Sequence, residues 1–215
     1  MKQETKFIIG IAIATILIVL GGVFYFSKNQ AQQPQQTVET QDIVSGTQNT
    51  LGDTSAPVTV VEFADLQCPA CRAAHPIVKN VLEENGQSIF YVWRHFPLKI
   101  HQNARAAAQA AEAAGQQGKF WEMQDMLFTN QDTWSTLSNP QETFKDYAQQ
   151  LELDIEKYEQ DYETAVTVVN RDLALAQDTA VASTPTFFIN GTKYEGVINQ
   201  DQFNSIIENI TGSSN

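Results

Sequence analysis

The chain contains two cysteines, and they stand three apart in the segment Cys68-Pro69-Ala70-Cys71. Upstream lies Val58 to Phe63 (VTVVEF), apolar and β-branched except for Glu62, the pattern of a buried strand. Downstream, Ala74, Ile77, Val78, Val81 and Leu82 follow helical spacing, and Asn85-Gly86 supplies a stop. The pair therefore sits where a strand gives way to a helix. Cys68 falls at the helix N-terminus, where free N–H groups and partial positive charge favour a thiolate. Cys71 lies about one turn on and faces inward. One exposed attacking sulfur and one protected resolving sulfur suit reversible thiol–disulfide exchange. An inert disulfide and a metal site are the competing readings. A zinc site needs four ligands, or three and a water. The three histidines, His75, His95 and His101, show no paired ligand spacing, so redox chemistry is the favoured reading, with no metal and no cofactor.

The rest of the chain has a readable order. Ile89 to Phe96 (IFYVWRHF) reads as a second strand, and the intervening helix is long enough to make the pair parallel. Asn103 to Gly115 holds eight alanines and favours helix. Phe120, Met123 and Leu127 mark another helical face, and Asn139-Pro140-Gln141-Glu142 a further helix start. Ile155 to Ala176 keeps a helical period throughout and reads as one long helix. Thr186 to Ile189, Asn190-Gly191 and Thr192 to Tyr194 form a hairpin signal. Asn190-Gly191-Thr192 also matches a glycosylation sequon, which the turn explains without sugar. Asn199 and Gln202 form a capping box before a last amphipathic helix. The predicted order is βαβ, a helical block, then ββα.

Two further positions bear on the cysteines. Glu62 is the charge in the apolar strand; buried, it would have a raised pKa and could accept a proton from Cys71 through water. The alternative is that Glu62 faces solvent. Thr184-Pro185 enters the TFFI strand and is a candidate cis bond, which would present the Thr184 backbone to an extended peptide. The alternative there is an ordinary trans turn.

The amino end predicts a membrane anchor. Phe7 to Phe26 is a run of 20 uncharged residues, long enough to span a bilayer as a helix. It is longer than a usual signal-peptide core and lacks a good cleavage site. Lys2 and Lys6 precede it and Lys28 follows, which places the short amino end in the cytoplasm and the rest outside. Residues 1–28 are thus read as cytoplasmic stub and anchor, and 29–50 as a flexible tether with seven Gln and no aromatic. Residues 51–215 form the folded domain. Removing Lys2, Lys6, Lys28 and Glu4 from 13 basic and 25 acidic residues leaves 10 and 24. So acidic a surface repels phosphate, which argues against a nucleic-acid partner.

The segments LGDTSAPVTVVEFADLQCPAC, YVWRHFPL, AAEAAGQQGKFWEMQDMLF and STPTFFINGTKYEG together resemble the DsbA-like thiol–disulfide oxidoreductases of the thioredoxin superfamily, in their membrane-anchored bacterial form. The resemblance covers about residues 51–210. It implies an α/β thioredoxin-like fold with a helical insertion at about 98–161, preceded by the single transmembrane helix. It implies that Cys68 attacks and Cys71 resolves, that Glu62 matches a buried acid, and that Thr184-Pro185 matches a cis-Pro loop. Pro76 matches the proline that kinks the active-site helix. The chain departs from the strongly oxidising members in carrying Ala70 where they have His. Gln67 replaces a Trp usual in thioredoxins and cytochrome-maturation reductases. The expected function is an extracytoplasmic oxidase acting on reduced exported proteins, recharged by a membrane quinone-linked partner. A reductase or isomerase with the same site is the nearest rival, and a non-catalytic or copper-handling module the rival of another class.

Overall fold

Val58, Val60 and Ala64 pack into one apolar cluster while Val61 and Phe63 pack into another. A strand buried on both faces must lie inside a sheet, and this double burial accounts for the unbroken apolar run. In the computed structural model, which describes residues 38–212, that strand (β2, Val58–Ala64) is the centre of a five-stranded sheet. It pairs in parallel with β3 (Ile89–His95) and antiparallel with β4 (Thr186–Ile189). Edge strands β1 (Thr50–Leu51) and β5 (Thr192–Glu195) give the order β1-β3-β2-β4-β5. Helix α1 (Thr40–Val44) precedes β1, and α2 (Pro69–Asn85) is the crossover between β2 and β3, continuing through Pro76.

The insertion between β3 and β4 comprises α3 (Ala104–Gly115), α4 (Phe120–Thr129), α5 (Gln131–Trp134), α6 (Gln141–Gln150) and α7 (Ile155–Thr164). Helix α8 (Val166–Asp178) returns to the sheet, and α9 (Gln200–Gly212) closes the chain. One sheet face carries α2 and α9, its core running on into the insertion through the alanines of α3, Phe120, Met123 and Trp134. The other face is covered by Ile43 of α1 and Ala176 of α8 against Phe63, Val92 and Phe188.

Two expectations are corrected here. The tether does not extend to residue 50. Ile43 is fully buried, and the Ile43 and Ser45 carbonyls accept hydrogen bonds from Arg94. Asn49 reaches Glu112 across the domain. One apolar residue and a few backbone carbonyls are enough to dock a polar segment whose composition alone reads as a linker. Nor is Ile155 to Ala176 one helix. It divides at Ala165, which keeps helical dihedrals (φ −58°, ψ −23°). Tyr158 of α7 packs within the insertion core, whereas Ala176 of α8 packs on the sheet. The helical period runs across the joint, so periodicity does not reveal it.

The hairpin turns at Asn190 (φ 45°) and Gly191 (φ 79°), both left-handed as a two-residue hairpin of this type requires. The Asn190 side chain accepts from Thr59 N–H and donates to the Pro57 carbonyl, so the sequon amide is engaged in the fold. Gly52 (φ 86°) is required for space as well: a Cβ there would meet the Ile89 carbonyl oxygen at 2.1 Å. The capping box is present in both directions, with Asn199 N–H donating to Gln202 and Gln202 N–H to Asn199. The anchor and stub (1–28) and the tether as far as residue 37 lie outside the described residues. Among the described residues no helix is long and apolar enough to cross a membrane.

Candidate active site

Cys68 is the N-cap of α2, and Pro69 follows as the first helical residue, where its missing N–H costs nothing. The Cys68 N–H donates to the Asp65 carbonyl, closing a tight turn out of β2. Asp65 is buried and locks that turn: its carboxylate accepts from the N–H groups of Gln67 and Leu98 and pairs with His101 at 2.6 Å. The insertion holds the same turn from the other side. Gln131 donates to the Leu66 and Cys68 carbonyls. Gln67 donates to the Ser135 carbonyl and accepts from Asn103 N–H.

Cys71 is fully buried, and Cys68 is only 7% exposed. The expected exposed attacker is thus largely covered, because Thr184 lies over it, with the Cys68 Sγ 3.6 Å from the Thr184 carbonyl oxygen. The Thr184-Pro185 bond is cis. The Thr184 hydroxyl is buried, makes no hydrogen bond to the rest of the protein and is free to turn to the Cys68 sulfur beside it.

Glu62 is 2% exposed, so the solvent-facing alternative does not hold. It lies on the strand face that carries Val60 and Ala64, towards α2. Tyr91 Oη donates to Glu62 Oε2 at 2.5 Å. Burial pushes the Glu62 carboxyl up to about 7, with the Tyr91 hydrogen bond opposing.

The two thiols are driven apart. A hydrogen bond from Cys71 is the main cause that lowers the Cys68 thiol to about 5. The Thr184 hydroxyl and the N–H groups of Cys71 and Ala70 act in the same direction, against burial. Cys71 is pushed well above its ordinary value by burial first, then by its bond to Cys68 and by the charge of Glu62. At neutral pH the dithiol is therefore a Cys68 thiolate stabilised by a Cys71 thiol. In the reduced protein, Cys68 is expected to be alkylated well before Cys71. Thr184→Val is expected to raise the Cys68 pKa, read from the pH dependence of thiolate absorbance. Equal alkylation of both sulfurs, or an unmoved titration in the variant, would contradict this arrangement.

The structure thus brings Cys68, Cys71, Glu62, Thr184 and Pro185 to one end of the sheet. Sequence reasoning did not find Asp65, His101, Gln131 or Tyr91. Asp65 had a local signal, an Asx-type turn onto Gln67. Tyr91 had none, because its meeting with Glu62 depends on the parallel register that sets Val60 opposite Tyr91.

The thioredoxin family model matches residues 44–209. Among solved structures, α-DsbA1 of Wolbachia pipientis superposes with a TM-score of 0.72 at 22% identity, over 82% of this chain and 97% of that one. A thioredoxin-like oxidoreductase of Silicibacter pomeroyi gives 0.68 at 28% identity, over 81% and 99%. A curated relative, the Na(+)/H(+) antiporter NhaA 3 of Salinispora tropica, is 38% identical over 166 residues, 76% of this chain. The match covers 24% of that relative, so the chain spans about a quarter of the length of the curated relatives it matches. The chain belongs to the thioredoxin family.

Proposed function

We propose that this domain is an oxidase for the dithiols of exported proteins. The observation that carries the reading is Cys68 at the N-cap of α2 beside a fully buried Cys71, a placement that lowers the first thiol and raises the second. Whatever stabilises the reduced pair makes the disulfide a stronger oxidant. In the forward step a substrate thiolate attacks Cys68 Sγ of the Cys68–Cys71 disulfide. The sulfur–sulfur bond breaks and its electron pair goes to Cys71, which takes up a proton. The second substrate thiol, as thiolate, then attacks the mixed disulfide and Cys68 leaves as a thiolate. The substrate is oxidised by two electrons and the cysteine pair reduced by two. A membrane quinone-linked protein would accept those electrons and restore the disulfide. On this reading the apolar run Phe7 to Phe26 tethers the domain on the outer side of the membrane.

The test is the redox potential, together with its pH dependence. A potential more positive than that of glutathione is expected; a more negative one would assign the site to reduction instead. The pH dependence has a definite sign. The Cys68 thiol is depressed in the folded dithiol, from 9.0 to about 5. Its contribution is therefore complete above about 9 and is lost as pH falls through about 5. Neutral pH lies between these limits, so there the thiolate still stabilises the folded dithiol. Denaturant melts of reduced and oxidised protein should show the advantage of the reduced form shrinking between those limits. A difference that is constant with pH would remove the physical basis of the oxidase reading.

A further inference from the structure

The charge of Glu62 acts on the Cys71 thiol, and both groups are buried. Glu62 is 2% exposed and Cys71 is fully buried. A proton that reaches Cys71 in each turnover must come from somewhere. The path through the mouth is occupied by Cys68, itself 7% exposed, and by Thr184. On the other side of Glu62 stands the hydroxyl of Tyr91 at 2.5 Å. Tyr91 also lines a cavity of about 110 Å³ between α2, α4 and β3. That volume has room for water, which needs about 30 Å³ of liquid volume per molecule. The lining of the cavity is mainly apolar, and Gln124, His75, Lys79 and Asp125 supply the polar groups. Gln124 on its α4 wall is 3% exposed, and its Nε2 has no hydrogen-bond partner within the protein. A buried, unpartnered amide beside a cavity of this size calls for water. At the rim, His75 meets Asp125 Oδ1 at 2.5 Å and Lys79 meets Asp125 Oδ2 at 2.6 Å. The Asp125 side chain is 43% exposed, so the rim reaches bulk solvent.

We propose that Tyr91 is a proton relay for the resolving cysteine, connecting Glu62 to solvent through water in the cavity beside Gln124. The inference rests on the thiol–disulfide exchange proposed above and adds to it the route by which the proton enters. When the substrate thiolate attacks Cys68, the electron pair of the broken bond leaves with Cys71. The Glu62 carboxyl proton passes to Cys71 Sγ. The Tyr91 hydroxyl proton passes to Glu62 Oε2 as a water proton passes to Tyr91 Oη. One proton enters from solvent by the cavity. The substrate releases two protons at the mouth, so the two-electron transfer balances with one proton lost to solvent overall. In recharging, the same chain runs outward. Tyr91 is a positioning and relay residue here, since it reaches the sulfur only through Glu62.

The groups that face this path are few. On α2 they are Cys71, then His75 and Lys79; on β3, Tyr91; on α4, Asp125. β4 and α9 present Phe187 and Phe203, which do not titrate. His75 is pushed down by burial, with Asp125 opposing, so it can stand as a neutral acceptor at the rim.

The experiment is single-turnover reduction of the oxidised protein by a dithiol peptide, followed by quenched alkylation, in light and heavy water. General acid–base assistance is typically worth about 10²–10⁴-fold, and Tyr91→Phe is expected to slow the Cys71 step by at least about tenfold. Its pH profile should also shift, its solvent isotope effect change, and its rate rise with added imidazole. The ring keeps its packing against Trp121 at 5.8 Å. Gln124→Leu leaves Tyr91 and Glu62 in place and fills the wet wall. It is expected to reproduce the slowing and the imidazole rescue. Wild-type rate, isotope effect and pH profile in folded Tyr91→Phe overturn the relay. The same result in Gln124→Leu overturns the water route, and that variant decides the matter if Tyr91→Phe does not fold. Failure of the wild-type protein to exchange with the peptide at all would instead bring down the oxidase reading, and it is seen before any variant is made.

Discussion

Asp172→Ala is expected to destabilise the domain by about 3–5 kcal/mol, the cost of breaking one side of a fully buried ion pair. Both Arg94 and Asp172 are 0% exposed. Arg94 Nη1 donates to Asp172 Oδ1 at 2.9 Å, while its Nε and Nη2 donate to the Ile43 carbonyl and Nη2 also to that of Ser45. Asp172 Oδ2 accepts from the His95 N–H at 3.1 Å. One carboxylate on α8 therefore anchors the end of β3, and through Arg94 it anchors the segment that leads into β1. Its removal leaves a fully buried guanidinium without its paired carboxylate. It also orphans a backbone N–H next to the active-site end of the sheet. Urea unfolding of the described domain, residues 38–212, provides the measurement. A loss below about 1 kcal/mol would place the pair with surface ion pairs, and the account of the amino-terminal segment as part of the fold would fail with it.

Cys71→Ser is expected to convert the protein from a catalyst into a trap. Without Cys71 the pair cannot form the disulfide that accepts electrons, so turnover is lost. The Cys68 thiolate can still attack a disulfide of another protein, releasing one of its sulfurs as a thiolate, and the mixed disulfide that forms then lacks the neighbouring sulfur that would displace it. Non-reducing gels of cells carrying Cys71→Ser should show covalent complexes with exported proteins, which disappear on reduction. Cys68→Ser should show neither complexes nor turnover, because Cys71 is buried and its thiol is held protonated. Complexes formed by Cys68→Ser at the level of Cys71→Ser would reverse the assignment of attacker and resolver.

Several features of this molecule were legible in the chain because they depend on neighbours within about ten residues. The strand into Cys68 showed as an apolar run, and α2 as a helical repeat with Asn85-Gly86 behind it. The hairpin showed as Asn190-Gly191, and the last helix as a capping box. The asymmetry of the two cysteines followed from the polarity of a helix N-terminus. The order of elements rests on such local patterns, joined by the handedness of a parallel crossover, whereas the thioredoxin-like fold was implied by the resemblance of whole segments.

Other features required residues distant in sequence to meet. Glu62 was seen as a charge in an apolar strand, yet only the sheet and α2 together exclude water from it. Tyr91 becomes its partner because β3 pairs with β2 in one register; a slip of one residue would turn it to the other face. The low exposure of Cys68 is set by Thr184, 116 residues away. The division of α7 from α8 at Ala165 left no trace in the period, because both helices bury a stripe of the same spacing against different surfaces. The docking of residues 38–50 depends on Arg94, whose guanidinium makes backbone carbonyls of a polar segment part of the core. Local propensity and periodicity therefore determined which elements form and where the sulfur chemistry lies. Burial and register, which depend on the whole fold, decided how each group ionises and which proton donor it meets.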